Sequence, residues 1–126
     1  QVRRGLRVMS PFISRAVSFF SQLGQDMFVV EPMGYHNAIA FERRGFGYIR
    51  GLKKMTRINE GFARGGDLYR KLDGSSPFRR PELARTVRGR SWAIHDGILD
   101  EPWRDVEMYL PFSRPLKVDT FPFGAY

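Results

Sequence analysis

The chain begins with a glycine set among arginines, directly ahead of an amphipathic segment. Residues 1–9 read QVRRGLRVM. A glycine lets the backbone approach a phosphate closely, and the start of a helix offers N–H groups that have no acceptor inside the helix. Neighbouring arginines add positive charge to such a site. The combination predicts a phosphate-binding segment at the start of the first helix.

A second group of residues with chemical potential is built on histidine and carboxylates. His36 and His95 are the only histidines, and neither has the spacing of a paired metal ligand, so no metal site is predicted. The segment HDGILDE sets Asp96, Asp100 and Glu101 close to His95. It is interpreted either as a turn with solvated acids or as a pocket for a substrate amine or a metal ion.

Five arginines form a third candidate site in the segment FRRPELARTVRGR. They are Arg79, Arg80, Arg85, Arg88 and Arg90. With Phe78 and Trp92 beside them, they could follow a phosphate backbone while an aromatic ring stacks on a base. The alternative is a solvated helix face whose charge is balanced by the acids that follow. Trp92 and Trp103 are interpreted as packing residues rather than as a stacking platform.

Composition limits the classes of function. The 126 residues suffice for one globular unit, and the net charge of +8 favours an anionic partner. The absence of cysteine excludes disulfides and thiolate nucleophiles and fits a cytoplasmic protein. We expect no membrane span, because no apolar run is long enough. Signature motifs of serine hydrolases, zinc proteases and P-loop nucleotidases are absent.

The elements that must position these residues follow from periodicity. Apolar residues recur every three or four positions over Arg7–Leu23, which predicts a helix with one buried face. The apolar run 26–32 predicts a buried, central strand, and a helix over 35–45 and a strand over 46–51 follow it. This order predicts a crossover unit with a parallel strand pair. The fold class is therefore α/β, or mixed α+β.

The second half of the chain has a different texture. Residues 52–62 place Met55, Ile58 and Phe62 on one face, which predicts a basic amphipathic helix. Another helix is predicted to start near Pro81, and the period-two pattern of 103–112 predicts a half-exposed strand followed by an extended tail. The predicted organisation is a core over 1–51, a helical and loop-rich basic insertion over 52–102, and the final strand and tail over 103–126.

Together, VRRGLRVM, the helix behind it, the strand MFVVEP and the segment NAIAFERRGF resemble the second half of the GNAT superfamily of acetyl-CoA-dependent N-acyltransferases. The resemblance covers about residues 1–51, two-fifths of the chain. It implies a GNAT-like C-terminal half with a helical insertion before the last strand. If the chain is an enzyme, the implied activity is transfer of an acetyl group from acetyl-CoA to an amine.

The resemblance also implies where the cofactor binds. In the family, backbone amides ahead of a helix hold the pyrophosphate of coenzyme A, and the matching positions here are Arg3, Arg4, Gly5, Leu6 and Arg7. Val2 and Arg7 depart from the family pattern, which prefers Gln or Arg and a small residue respectively. The segment HNAIAFERRGF resembles the part that packs beside the cofactor, so that Asn37 or Phe41, depending on one gap, is expected to contact it.

Catalytic residues are not assigned. Phe41 stands where many family members place a tyrosine that protonates the departing thiolate, and phenylalanine has no proton to give. Tyr35 and Tyr48 are nearby substitutes. The acceptor amine is also left open, since in the family its recognition lies largely in the first half and in variable loops.

The partner predictions follow from the half-fold. The family's first half would precede Gln1, so the sheet is expected to be completed by a missing N-terminal segment or by another subunit. Two functions of other classes stay open. One is a non-enzymatic nucleic-acid-binding module that uses the arginines of residues 79–90, and the other is a catalytically silent regulatory or assembly domain.

Overall fold

The computed structural model describes the backbone of residues 2–126 and the side chains of residues 11–126. Within this part the chain is mixed α and β, with helices packed around a three-stranded antiparallel sheet. A 3₁₀ turn, Pro81–Arg85, precedes the last helix. The elements in chain order are α1 (Val2–Gln22), β1 (Met27–Val30), α2 (Tyr35–Glu42), β2 (Gly47–Arg50), α3 (Leu52–Phe62), α4 (Asp67–Arg70), α5 (Val87–His95) and β3 (Glu107–Pro111).

The sheet order is β1-β3-β2, so the last strand of the chain is the central one. Tyr109 of β3 lies opposite Val29 of β1 on one side and Gly47 of β2 on the other. The prediction of a central β1 in a parallel pair is therefore wrong. Both early strands run antiparallel to β3, which separates them. The physical reason is visible in β1, whose side chains alternate between exposed and half-buried, a pattern typical of an edge strand rather than of one buried on both faces.

The helix predictions succeed where the apolar period is clear. α3 has the predicted bounds, with Met55, Ile58 and Phe62 buried. α1 begins at Val2, five residues before the predicted start, and Pro11 lies inside it. Its expected buried face is only partly covered, because Ile13 packs against the core while Phe12, Phe19 and Leu23 are exposed. None of the helices in the described part combines the length and hydropathy that crossing a bilayer requires.

A glycine is required where α2 turns back into β2. Gly45 has a φ of 97°, in the left-handed region that favours glycine. A Cβ built there would lie 2.3 Å from the Cβ of Pro115. The N–H of Leu116 donates to the carbonyl of Gly45 at 2.8 Å. Gly45 is therefore both the turn that ends α2 and the point where the C-terminal segment packs against it, and it tolerates no side chain.

Residues 112–126, which follow β3, form a C-terminal strap across the helices, although they contain no helix or strand. The buried carboxyl of Glu42 accepts hydrogen bonds from the N–H and hydroxyl of Thr120 and from the hydroxyl of Tyr48. Further on, the main-chain oxygens of Ala125 and Tyr126 accept from the first two amides of α5 at 2.8 and 3.0 Å. The strap thus satisfies donors that a helix start leaves without intrahelical partners.

Arg90 of α5 is the charged residue at the centre of the helical layer. It is 3% exposed. Its guanidinium donates to the carbonyl of Ala84 at 2.8 Å, to Asn59 Oδ1 at 2.8 Å and to the Tyr35 hydroxyl at 3.1 Å. The ring of Phe121 lies 3.4 Å from the guanidinium carbon. A surface arginine in the sequence interpretation is therefore a core residue that joins four parts of the chain.

Replacing Arg90 with lysine should destabilise the fold by about 2–4 kcal/mol. A lysine ammonium cannot reproduce the planar fork or the stacking on Phe121, and it would leave buried acceptors unpaired. Urea unfolding measures the difference. The exposed Arg85→Lys serves as the control and should stay within about 0.5 kcal/mol of the parent. Equal stability of the two variants would contradict the central role of Arg90.

Glu42→Gln should flatten the dependence of stability on pH. Burial raises the pKa of Glu42, so the folded protein keeps this proton to higher pH than the unfolded chain does. The stabilisation is fully present below the ordinary pKa of about 4.3 and is lost as pH rises through the raised value. Glutamine does not titrate, so between pH 4.5 and 8 the variant should lose less stability than the parent, measured by urea unfolding at each pH. Parallel profiles would contradict the prediction, and Glu60→Gln is the exposed control.

Candidate functional site

A cavity of about 990 Å³ lies beyond the carboxyl end of β1, between the start of α2 and one face of α5. The segment from Met33 to His36 forms one wall. Residues of the turn after α5, including Asp100 and Trp103, form another. This volume is at the upper end of the range for small-molecule sites. It exceeds what a single small metabolite fills.

One face of α5 supplies the facing wall. Arg88, Ser91, Trp92 and His95 are spaced by three, one and three residues, which places them on the same side of a helix. The helix start is fixed by the C-terminal strap and by Thr86, whose hydroxyl accepts from the N–H of Gly89 at 2.9 Å. The wall is therefore held by regular structure and not by a loop.

His36 and Ser91 meet across the cavity. The Nδ1 atom of His36 lies 2.8 Å from the hydroxyl oxygen of Ser91. Loss of hydration lowers the pKa of His36 below its usual range. A lowered pKa favours the neutral imidazole, whose free ring nitrogen can accept a proton as a general base does.

Six of the residues that line the cavity have aromatic side chains. Trp92 stacks on Phe78 with ring centroids 5.4 Å apart and meets the ring of His95 edge to face. The indole N–H of Trp103 donates to the carbonyl of Pro32 at 2.9 Å, and its ring contacts Tyr35 edge to face. Both tryptophans of the chain line the cavity. The interpretation of Trp92 and Trp103 as packing residues alone misses this second role.

The two acidic residues that line the cavity already have cationic partners. Asp100 lies 2.6 Å from the Lys71 ammonium, and the hydrogen bond from Lys71 lowers the pKa of this carboxyl. Glu101 lies 3.1 Å from Arg57 and 3.8 Å from Lys54. The lining residue Arg88, in contrast, has no acidic group within 4 Å among the side chains of residues 11–126.

Asn37 and Phe41, the two residues of α2 that were expected to contact a cofactor, lie in different surroundings. Asn37 is half-buried on the first turn of α2 and follows His36, but it does not itself line the cavity. A Cβ at Gly34 would lie 3.3 Å from the ring of His36 and 3.6 Å from Asn37 Oδ1, so both side chains fold back over this glycine. Phe41 lies one turn further and packs on Phe46.

The phosphate-binding candidates lie in the first turns of α1. The side chains of Arg3, Arg4, Gly5, Leu6 and Arg7 fall outside the described residues, and only their helical backbone is described. The sequence predicted a phosphate-binding segment ahead of a helix that starts at Arg7. In the structure, α1 starts at Val2 and includes this segment.

The segment HDGILDE was interpreted either as a turn or as part of a pocket, and its residues differ in which interpretation they fit. Asp96 makes hydrogen bonds within the protein: its carboxylate accepts from the Ser76 hydroxyl at 2.9 Å and from the Arg79 guanidinium at 3.0 Å. His95, Asp100 and Glu101 line the cavity. Within the described side chains, no three histidines or carboxylates lie together as metal ligands would.

The predicted arginine cluster is not gathered on one surface. Arg90 is buried and Arg79 is paired with Asp96. Arg80 lies 3.4 Å from Glu82, while Arg85 and Arg88 are exposed. Ser91, which the sequence interpretation omitted, had no local signal, because its partner His36 is 55 residues away.

Comparison with protein-family models, with curated protein sequences and with solved structures finds no match to this chain.

The lowered pKa of His36 predicts a stability change at mildly acidic pH. The unfolded chain binds this proton more tightly than the folded protein, so the contribution is complete above the ordinary pKa of about 6.5 and is lost as pH falls through the lowered value. His36→Gln should remove that part of the loss between pH 7.5 and 5, measured by urea unfolding.

A second variant separates the cause of the pKa shift from the hydrogen bond. Because lost hydration lowers the pKa, Ser91→Ala should leave it below 6.5 in an NMR titration of the ring. An ordinary pKa for His36 in the parent protein would overturn the assignment.

Proposed function

We propose that this chain is an N-acyltransferase-like domain that binds acetyl-CoA and transfers the acetyl group to an amine. The observation that carries the proposal is the cavity at the start of α2, which is lined by His36, with Asn37 as the next residue of the helix. Asn37 is a position where the resemblance implies cofactor contact. The volume of about 990 Å³ has room for the end of a thioester arm together with an acceptor.

The order of elements supports the same proposal. A helix, a strand, a second helix and a second strand follow one another from Val2 to Arg50. This is the order of elements that the resemblance implies. Helices α3 to α5 then lie between β2 and β3, where an insertion before the last strand is expected. The resemblance thus agrees with the chain order, while the pairing of the strands differs from the parallel pair predicted from local patterns.

Acetyl-CoA would supply the acyl group as an activated thioester. The chain's own contribution starts with His36, which is neutral and can accept the proton that the attacking amine releases. Its Nδ1 is held by Ser91, so the ring orientation is fixed before a substrate binds. The side chains that line the cavity align the acceptor.

The departing thiolate does not receive a proton from a tyrosine in the position that the family uses. Phe41 packs on Phe46, and Tyr48 donates its hydroxyl hydrogen to Glu42. Tyr35 is buried and accepts from Arg90, and burial raises its pKa. We assign the return of the proton to the imidazolium of His36, which is the titratable group freed by the preceding step.

The open side of the sheet fits the prediction of a further partner. β1 has a strand partner on one side only within the described residues, and Met27 and Val29 of this strand are exposed. In this proposal a strand from another subunit, or from another segment of polypeptide, adds to β1 and covers them. The mass of the protein in solution reports the first of these arrangements.

Calorimetric titration with acetyl-CoA tests the proposal. We expect binding in the micromolar range that coenzyme A competes with and that weakens as salt rises. Because backbone amides at a helix start do most of the holding of a phosphate, Gly5→Leu should weaken binding more than Arg4→Ala. Equal affinities of these variants would contradict the phosphate-binding segment.

A matched control addresses the nucleic-acid alternative. Arg85→Gln removes an exposed arginine of the predicted cluster that does not line the cavity, and it should leave acetyl-CoA affinity unchanged. Absence of acetyl-CoA binding together with salt-sensitive RNA or DNA binding that Arg85→Gln weakens would replace the proposal with the nucleic-acid module.

A further inference from the structure

We infer that the cavity between α2 and α5 binds an arylamine that carries a carboxylate, with the amine at His36 and the carboxylate at Arg88. Acetylation of that amine rests on the proposed function. Binding of the ligand does not rest on the proposed function. It depends only on the residues that line the cavity, all of which lie in the described part of the chain.

The walls select a flat ring. Two indoles, two histidine rings and two tyrosines surround the space, and Met33 and Ile94 add apolar surface. The aromatic members are Tyr35, His36, Trp92, His95, Trp103 and Tyr126. Aromatic faces and edges pack best against another ring, in offset or edge-to-face geometry. A branched or linear aliphatic ligand would gain less from the same walls.

The charges at the cavity select a neutral amine over an ammonium ion. Each lining carboxylate has a cation within 4 Å, Asp100 with Lys71 and Glu101 with Arg57. The chain as a whole carries a net charge of +8. An alkylammonium would therefore meet no side-chain carboxylate without a counter-ion. An arylamine avoids this problem, because conjugation with the ring keeps its nitrogen uncharged at neutral pH and leaves it ready to attack a thioester.

Arg88 is the residue that indicates a carboxylate on the ligand. It lines the cavity, and no acidic side chain within the described part pairs with it. Guanidinium groups bind carboxylates through two parallel hydrogen bonds. Arg88 precedes Ser91 by three residues, about 4.5 Å along the helix axis. Residues three apart are neighbours on one face of a helix, so the two ends of the ligand are recognised from neighbouring positions of α5.

The amine end of the ligand faces the pair formed by His36 and Ser91. In the tautomer that suits the reaction, Nδ1–H donates to the serine hydroxyl and the lone pair of Nε2 is free. During transfer the amine nitrogen bonds to the acyl carbon, the carbon–sulfur bond breaks, and Nε2 takes the proton that the nitrogen loses. The sulfur leaves as a thiolate and receives that proton. Atoms and charge balance without an oxidant or a further reactant.

Two ligands that differ by one methylene group provide the test. 4-Aminobenzoate has a neutral amine at pH 7, whereas 4-(aminomethyl)benzoate carries an ammonium. Because both tryptophans line the cavity, the chain has only two indole N–H signals in a proton–nitrogen NMR spectrum, and both report on this site. We expect 4-aminobenzoate to shift them in a saturable way, with at least roughly tenfold higher affinity than 4-(aminomethyl)benzoate. Equal or reversed affinities would overturn the neutral-amine assignment.

Substitution of Arg88 tests the other end. Arg88→Gln should weaken 4-aminobenzoate about tenfold or more and leave the affinity for aniline unchanged, since aniline has no carboxylate. Arg85→Gln, an exposed arginine on the preceding turn that does not line the cavity, is the control and should change neither affinity. Equal losses in the two variants would show a general charge effect and overturn the role of Arg88.

The outcome is distinguishable from a failure of the proposed function. Indole shifts with 4-aminobenzoate but no heat with acetyl-CoA would preserve the binding site and reject the acyltransferase. Heat with acetyl-CoA but no saturable shift with 4-aminobenzoate would preserve the acyltransferase and overturn this inference. Formation of 4-acetamidobenzoate by the parent protein, lost in His36→Ala, would support both.

Discussion

The guanidinium of Arg90 is a charge held almost completely out of water, and the helical layer is organised around keeping it satisfied. Hydrogen bonds to Asn59, Tyr35 and the carbonyl of Ala84 replace its hydration, and the rings of Phe62 and Phe121 cover its faces. Removal of any one partner would leave a buried charge or a buried acceptor without compensation. Helices α2, α3 and α5 and the C-terminal strap are therefore fixed relative to one another by a single side chain.

That constraint reaches the cavity because the two helices that Arg90 connects also form the cavity walls. Tyr35, which accepts from Arg90, is the first residue of α2 and precedes His36. Ser91 follows Arg90 directly on α5. The 2.8 Å contact between His36 and Ser91 therefore sits one residue away from the core network on both of its sides. A polar pair in an open cavity is positioned by an interaction in the interior.

Elements with a strong local period could be predicted from the sequence, and contacts between distant segments could not. The apolar spacing of α3 gave its bounds, whereas the central position of β3 depends on pairing with segments at least 57 residues earlier, such as Arg50 with Glu107. The charge of Arg90 suggested a surface residue, because no sequence pattern announces its partners in Tyr35 and Asn59. For the same reason, His36 could be singled out from the sequence but Ser91, its partner 55 residues away, could not.

The regular spacing along α5 also determines which changes in length the protein can accept. Each residue of an α-helix turns the chain by about 100°. One inserted residue between Arg88 and Ser91 would therefore turn Trp92 and His95 away from the cavity, while every side chain in the segment stayed the same. The loop around Gly74, which is exposed and in the left-handed region, has no such phase to keep. Insertions and deletions should accumulate in that loop, and α5 should vary only by substitution.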